Sequence, residues 1–135
     1  MRARDMQKAL AAFPELHDLA RLLLPVWAAD ARAFELPKLH ARIIIGDARA
    51  TLGRWSGTAD AWFLDGFAPA RNPEMWEPEL MAQVAIHTAP GGTFATYTAA
   101  GQVRRALERV GFSISRIPGH GRKRHMTRGR MGEGA

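Results

Sequence analysis

The residues of this chain best suited to chemistry are an acid and a glycine that follow an apolar run. Asp65 and Gly66 come directly after residues 61–64, AWFL, whose composition predicts a buried β-strand. In an open α/β sheet, ligands bind outside the carboxyl ends of the strands, so an acid at that position is placed for binding or catalysis. Asp-Gly is also a common turn dipeptide, and taken alone it favours that structural interpretation.

A second acid has a similar position. Residues 42–48, RIIIGDA, predict a short strand rich in β-branched side chains that ends in Gly46 and Asp47. Asp47 also suits the N-cap of a short helix through Leu52, because its side chain can accept hydrogen bonds from free backbone N–H groups.

The elements that would position these acids alternate along the chain. Helices are predicted at residues 4–24 (interrupted at Pro14 and ended by Pro25), at 73–87 after an N-cap at Asn72, and at 101–110. Further strands are predicted at residues 93–98, 112–117 and 122–127, and residues 27–40 are expected to form a loop. The alternation predicts an α/β sheet with parallel strands and a final antiparallel pair, in which residues 61–64 form a central strand covered on both faces.

Composition limits the class of protein. The 135 residues suffice for one domain with a core, which we expect at residues 1–128 with a frayed tail at 129–135. No apolar run approaches the roughly 18 residues that a membrane span needs. Cysteine is absent, which excludes disulfides and thiolate metal sites and fits a cytoplasmic protein. The five histidines show no ligand spacing, so no metal is expected and each histidine is interpreted as a surface or packing residue.

The positive charge is concentrated at one end of the chain. Residues 101–135 carry nine basic side chains against Glu108 and Glu133, whereas the first 100 residues have a net charge of −1. The last quarter therefore accounts for the whole net charge of +6. Such a concentration attracts polyanions, including nucleic-acid phosphates, although a solvated basic tail is an equally common interpretation.

Three blocks of sequence resemble a known family. The blocks are DAWFLDGFAPARNPEMW, APGGTFATYTAAGQVRRALERVGF and GHGRKRHM, and together they extend the resemblance over residues 9–126. They closely resemble the methyltransferase domain of the tRNA 5-methylaminomethyl-2-thiouridine biosynthesis family, which also contains bifunctional proteins. The resemblance implies a doubly wound, Rossmann-like α/β fold that uses S-adenosylmethionine. It also implies methylation of the aminomethyl nitrogen on the wobble uridine of tRNA.

The resemblance assigns roles to individual residues. Asp65 would be the catalytic residue, where methyl donor and acceptor meet, and its position beside Gly66 would also contact the cofactor. Asp47 and Ala48 would lie against the adenine end of S-adenosylmethionine. A carboxylate suits this chemistry, because an alkylamine is mostly protonated at neutral pH and must lose a proton before it can attack the methyl group.

The resemblance also implies contacts to tRNA. The residues concerned are Phe67, Arg71, Arg122, Lys123 and Arg124. The basic run among them is a reasonable contact for the phosphates of a folded RNA. Trp62 and Trp76 are large enough to stack on a base, but core packing is the favoured interpretation for both.

The resemblance leaves part of the fold unaccounted for. A complete domain of this type begins with a strand and a Gly-rich loop, followed by a second strand that ends in a ribose-binding acid, and no G-x-G element precedes Gly46. We therefore expect an N-terminally truncated domain, completed by a missing segment or a partner chain. We expect no flavin, since nothing resembles the flavin-dependent oxidase half of bifunctional relatives. A non-catalytic RNA-binding module and an inactive fragment remain alternative interpretations.

Overall fold

The computed structural model describes residues 2–121 and 124–133. The chain forms two units, Met1–Ile45 and Gly46–Ala135. None of the described helices is long and apolar enough to cross a membrane.

The first unit pairs two helices with a small hairpin. Its elements are α1 (Ala3–Leu10), a 3-10 turn (Pro14–Leu16), α2 (His17–Ala28), β1 (Ala33–Leu36) and β2 (Leu39–Arg42). The predicted interruption at Pro14 is confirmed. Pro25, in contrast, lies inside α2 and does not end it, because the helix bonds continue beyond it and the N–H of Ala29 still donates to the Pro25 carbonyl.

The hairpin corrects two predictions. The loop expected at residues 27–40 contains β1 and the first half of β2, and the strand expected at 42–48 ends at Arg42. Ala33, the first residue of β1, pairs with Arg42, so the partner strand stops there. Ile44 and Ile45 consequently lie outside the ladder and are 51% and 71% exposed. Their β-branched side chains favour an extended backbone, but a strand also needs a paired neighbour.

The second unit is a mixed sheet with helices. Its elements are α3 (Ala48–Gly53), β3 (Ala59–Phe63), a 3-10 turn (Pro73–Trp76), α4 (Pro78–Ile86), β4 (Thr88–Thr96), α5 (Gly101–Arg109), β5 (Phe112–Pro118) and β6 (His125–Met131). The strand order is β3-β4-β6-β5, with β3 parallel to β4 and the other pairs antiparallel. The helix expected at 73–87 is divided at Glu77, whose extended backbone (ψ 145°) is the conformation favoured before a proline.

Strand β6 lies further along the chain than predicted. Its paired residues run from His125 to Met131, three residues into the stretch expected to be a tail. Gly129 is the reason, because it pairs with both Phe94 and Ile114 and a Cβ at this position would collide with the Phe94 ring. The glycine therefore permits close packing within the sheet instead of marking a flexible end.

The core lies between the helices and one face of this sheet. Its buried members are Trp76, Leu80, Met81, Val84, Phe94, Val103, Ala106, Leu107 and Phe112. Phe94 and Phe112 meet edge-on, with ring centroids 5.0 Å apart. On the other face Phe63 is 88% exposed, and β3 is an edge strand of the described sheet. The expectation that β3 is central and covered on both faces is therefore wrong for the described residues.

Leu107 offers a test of this core. It is fully buried, so Leu107→Ala should lower the free energy of unfolding by about 2–5 kcal/mol through lost burial and the cavity that remains. Ile86→Ala is the matched control within the same unit, because Ile86 is 66% exposed and should cost less than about 1 kcal/mol. Urea unfolding of both variants measures the difference. Equal losses would contradict this assignment of the core.

Candidate active site

A cavity of about 650 Å³ opens at the carboxyl ends of β3 and β4. Because these strands run parallel, their carboxyl ends lie at the same edge of the sheet, where ligands bind in α/β folds. The segments that line the cavity follow β3, follow β4 and join β5 to β6. The lining residues are Leu64, Asp65, Phe67, Ala68, Pro69, Trp76, Thr96, Tyr97, Thr98, Ala99, His120, Arg124 and His125.

Asp65 lies on the wall contributed by β3. The strand ladder extends one residue beyond Phe63, where the N–H of Leu64 donates to the Ala95 carbonyl over 2.9 Å. Asp65 follows immediately and its side chain is exposed. No described residue hydrogen-bonds its carboxylate or forms an ion pair with it. The oxygens are therefore available to a ligand in the cavity.

The loop after Asp65 is held in an unusual conformation. Phe67 has a positive φ of 62°, a backbone region that costs a non-glycine residue about 1–3 kcal/mol. Two side-chain donors fix the carbonyls around it: Asn72 Nδ2 reaches the Gly66 oxygen and Trp76 Nε1 reaches the Phe67 oxygen, each over 3.1 Å. The Phe67 ring is 81% exposed and lines the cavity.

Gly66 contributes to this loop by its lack of a side chain. It is buried, and a Cβ at its position would lie 2.8 Å from the Cβ of Met75. Any other residue would therefore push the loop away from the turn that carries Met75 and Trp76. The observed role of Gly66 is close packing of the loop that presents Asp65 and Phe67.

The end of β4 forms the next wall. Its backbone is fixed by Thr127, a fully buried residue whose hydroxyl donates to the Thr98 carbonyl over 2.8 Å. Tyr97 is 56% exposed and lines the cavity between two threonines, Thr96 and Thr98. These residues were not among the predicted site residues. Applying the strand-end rule to the second parallel strand would have found them.

The remaining wall comes from the end of the β5–β6 hairpin. His120, Arg124 and His125 line the cavity, with His125 half-buried and the other two exposed. Their position follows from the antiparallel pairing of β6, in which Thr127 lies beside Thr96 at the carboxyl end of β4. The interpretation of His120 and His125 as ordinary surface or packing residues therefore missed their place in the cavity, which depends on strand order.

Asp47 lies elsewhere and has a partner. It is the N-cap of α3, as predicted, and accepts from the backbone N–H of Arg49 over 2.9 Å. Its carboxylate also accepts from the Arg49 guanidinium at 2.7–3.2 Å. These side-chain bonds first, and the backbone bond second, lower the pKa of Asp47 to about 2. Asp47 does not line the cavity, and Ala48 packs against the core.

Only some of the predicted tRNA contacts line the cavity. Arg124 joins Asp65 and Phe67 in the cavity, whereas Arg71 is exposed in the loop after β3 and does not line it. Arg122 and Lys123 lie outside the described residues. Within the described part of the chain, no group of three or more His, Cys, Asp or Glu side chains could hold a metal ion.

The tryptophans pack as expected. Trp76 is 6% exposed, and Trp62 is half-buried with its Nε1 donating to Thr88 Oγ1 over 2.9 Å. Trp62 also meets Trp55 edge-on. Core packing is thus confirmed for both predicted tryptophans, and Trp76 additionally forms part of the cavity lining.

Comparison with known proteins identifies the family. A family model described as S-adenosyl-L-methionine-dependent methyltransferase matches residues 14–132. The chain belongs to this family. This finding confirms the resemblance noted in the sequence and the α/β methyltransferase fold.

Individual proteins with similar sequences also show this relationship. The chain is 47% identical over 130 residues to the tRNA 5-methylaminomethyl-2-thiouridine biosynthesis bifunctional protein MnmC of Pseudomonas savastanoi pv. phaseolicola, covering 93% of this chain and 20% of that protein. It is 48% identical over 125 residues to the MnmC of Caulobacter sp. strain K31, covering 89% and 21% of the two chains. This methyltransferase chain therefore spans about a fifth of the length of these relatives.

A solved structure supports the same relationship. The crystal structure of MnmC2 from Aquifex aeolicus superposes with a TM-score of 0.68 and 27% sequence identity. The alignment covers 78% of this chain and 35% of the Aquifex chain.

Trp76→Phe tests whether the indole N–H holds the cavity loop. The variant keeps a buried ring but leaves the Phe67 carbonyl without its donor, which should lower the free energy of unfolding by about 1–3 kcal/mol. Trp62→Phe is the matched control, since it also removes one indole donor but lies outside this loop. Hydrogen exchange should accelerate at the amides of Arg71 and Asn72, which donate to the Ala68 carbonyl in this loop, in Trp76→Phe only. Unchanged exchange there would contradict the proposed anchoring.

Proposed function

We propose that this chain carries the acceptor side of a tRNA methyltransferase site, at which a methyl group passes from S-adenosylmethionine to the aminomethyl nitrogen of the wobble uridine. The observation that carries the proposal is the Asp65 carboxylate, which no described residue pairs with, in a cavity at the carboxyl ends of two parallel strands. The family supplies the methyl donor, and the names of the relatives supply the RNA substrate.

Asp65 acts on the acceptor amine. A primary alkylamine is mostly an ammonium ion at neutral pH, since its pKa is near 10, and it cannot attack until it has lost a proton. The exposed carboxylate of Asp65 orients the ammonium and assists removal of its proton to solvent. When bound, S-adenosylmethionine would supply an electrophilic methyl group on a positively charged sulfur. Once the ammonium has lost its proton, the nitrogen lone pair would be free to accept that methyl group, and the donor would leave as a neutral thioether.

The residues present fit the methyl-donor end of the cofactor. Asp65 offers a negative charge, and the exposed rings of Phe67 and Tyr97 line the same cavity. A sulfonium is a cation, and both carboxylates and aromatic faces attract cations. Asp65 and the backbone beside Gly66 are therefore proposed as the cofactor contacts at this end.

The adenine end fits less directly. The Asp47 carboxylate already accepts several bonds from Arg49, so contact with an adenine amino group requires the Arg49 side chain to move aside. The methyl side chain of Ala48 cannot form a hydrogen bond to adenine in place of Asp47. A role for Asp47 and Ala48 in binding the cofactor stays a prediction on these grounds.

The RNA contacts are proposed on charge and exposure. Arg124 brings a permanent positive charge into the cavity lining, and Arg71 lies exposed on the loop after β3. Together with Arg122 and Lys123 they would hold tRNA phosphates, and the exposed Phe67 ring would stack on a base.

A tRNA substrate would place the reaction in the cytoplasm. The relatives are named as bifunctional, and an oxidase activity elsewhere in such a protein is the proposed partner of this one.

Asp65→Asn tests this mechanism. The variant keeps the shape of the side chain but loses the charge, so methyl transfer to tRNA should fall by about 10²–10⁴-fold. Binding of S-adenosylmethionine, followed by NMR titration, should weaken far less than transfer, because the Phe67 and Tyr97 rings and the backbone beside Gly66 remain as cofactor contacts. Asp60→Asn is the matched control, because Asp60 is an exposed acid on β3, the strand that precedes Asp65, and does not line the cavity.

The assay should locate the methyl group as well as count it. Digestion of the tRNA and mass spectrometry of its nucleosides identify the modified base. Near-normal transfer by Asp65→Asn would remove this residue from the mechanism, and a methyl group on another nucleoside would exclude the wobble uridine as acceptor. Wild-type chain that binds tRNA without any transfer would favour the RNA-binding module.

A further inference from the structure

The hairpin end contributes an unusual group of side chains to the cavity. His120, Arg124 and His125 line it together, and we refer to these three residues as the hairpin wall. No described side chain hydrogen-bonds any of them or forms an ion pair with them. Their polar atoms are therefore available to a ligand rather than committed to the fold.

The charge of the cavity depends on this wall. The other ionisable groups in the lining are Asp65, on the loop after β3, and Tyr97, on the segment after β4. Asp65 and Arg124 carry opposite charges, so the imidazoles of His120 and His125 determine the net charge of the described lining. Histidine is the side chain that ordinarily gains its proton between about pH 8 and pH 5, so full protonation of both imidazoles adds two positive charges.

We propose that the hairpin wall is a phosphate subsite for the nucleic-acid acceptor, and that its affinity rises as the two imidazoles become protonated. The inference rests on the proposed function in taking a nucleic acid as the ligand. It extends that function by assigning His120 and His125 to substrate binding and by making binding depend on pH.

The distribution of charge favours a nucleotide that carries an amine. Such a ligand is cationic at the amine and anionic at the phosphodiester. The cavity presents a carboxylate on one element and up to three positive charges on another, which suits both ends of the ligand at once. Its volume of about 650 Å³ is within the range of small-molecule sites, roughly 300–1,000 Å³.

RNA binding by exposed arginines outside the hairpin wall would have a different pH dependence. The exposed arginines of α5 and β6, such as Arg105 and Arg128, keep their charge across the whole accessible pH range. Binding through those residues alone would depend on salt but hardly on pH. A pH dependence that disappears with His120 and His125 therefore separates the wall from the general positive charge of the chain.

The test measures binding of a short, fluorescently labelled single-stranded RNA to the full chain by anisotropy. Titrations at about pH 5.5 and about pH 8, on either side of the ordinary histidine pKa, should show at least about tenfold tighter binding at the lower pH. The slope of log K against log salt should steepen by about 1.4 at the lower pH, because each added phosphate contact on a single strand contributes about 0.7.

Three double variants give the comparison. His120→Gln with His125→Gln should lose the pH dependence and bind at both pH values as wild type does at pH 8. His120→Lys with His125→Lys should bind tightly at both, since lysine stays protonated. His17→Gln with His40→Gln is the matched control, because both histidines are exposed in the first unit, and it should behave as wild type.

Several results would overturn the proposal. These are an unchanged pH dependence in the glutamine variant, equal wild-type binding at both pH values, and displacement of the RNA by inorganic phosphate at equal concentration, which would indicate a general anion site. Failure of the proposed function can be distinguished from failure of this inference. The former appears as absent methyl transfer in the nucleoside assay, whereas the RNA titrations still measure binding at the hairpin wall.

Discussion

The parallel pairing of β3 with β4 is the constraint on which the site depends. Ala61, Trp62 and Phe63 lie beside Thr93, Phe94 and Ala95, and this register brings the two carboxyl ends to one edge of the sheet. Phe94 stabilises this pairing, because its side chain is buried in the core and packs edge-on against Phe112. Without this register, Asp65 and Tyr97 would not line the same cavity.

The cavity loop depends on a second, smaller set of interactions. Trp76 is buried in the core and also donates to the Phe67 carbonyl, so the core and the loop conformation are linked through a single side chain. Asn72 and the close packing of Gly66 complete the arrangement. The positive φ of Phe67 is maintained by this surrounding structure, as is common at functional sites.

The sequence predicted those features that local chemistry determines. The helix predicted at residues 101–110 is α5, and its buried residues Val103, Ala106 and Leu107 have the spacing of one helix face. Asp47 was recognised as an N-cap because an acid before a helix accepts free N–H groups, which is a local interaction. The position of Asp65 followed from the strand that precedes it.

Features that depend on distant partners were missed. The isoleucines at 43–45 have strand-forming side chains, but β1 ends its pairing at Arg42. Gly129 resembles a tail residue until Phe94 is known to lie against it. His120 and His125 enter the cavity only because β6 lies between β4 and β5, an order that no local pattern specifies. The family resemblance implied roles for Asp65, Phe67 and Arg124, which line the cavity, but it did not imply these placements.

In the proposed site, the acceptor nucleotide binds at the carboxyl ends of β3 and β4. An NMR titration of the labelled chain with 5-aminomethyluridine monophosphate tests it directly. We expect the largest shifts at Asp65, Phe67, Tyr97 and His125. Largest shifts in the groove of about 580 Å³ on the other face of the sheet, where Phe63, Arg128 and Arg130 lie, would contradict it, as would the absence of any shift at saturating ligand.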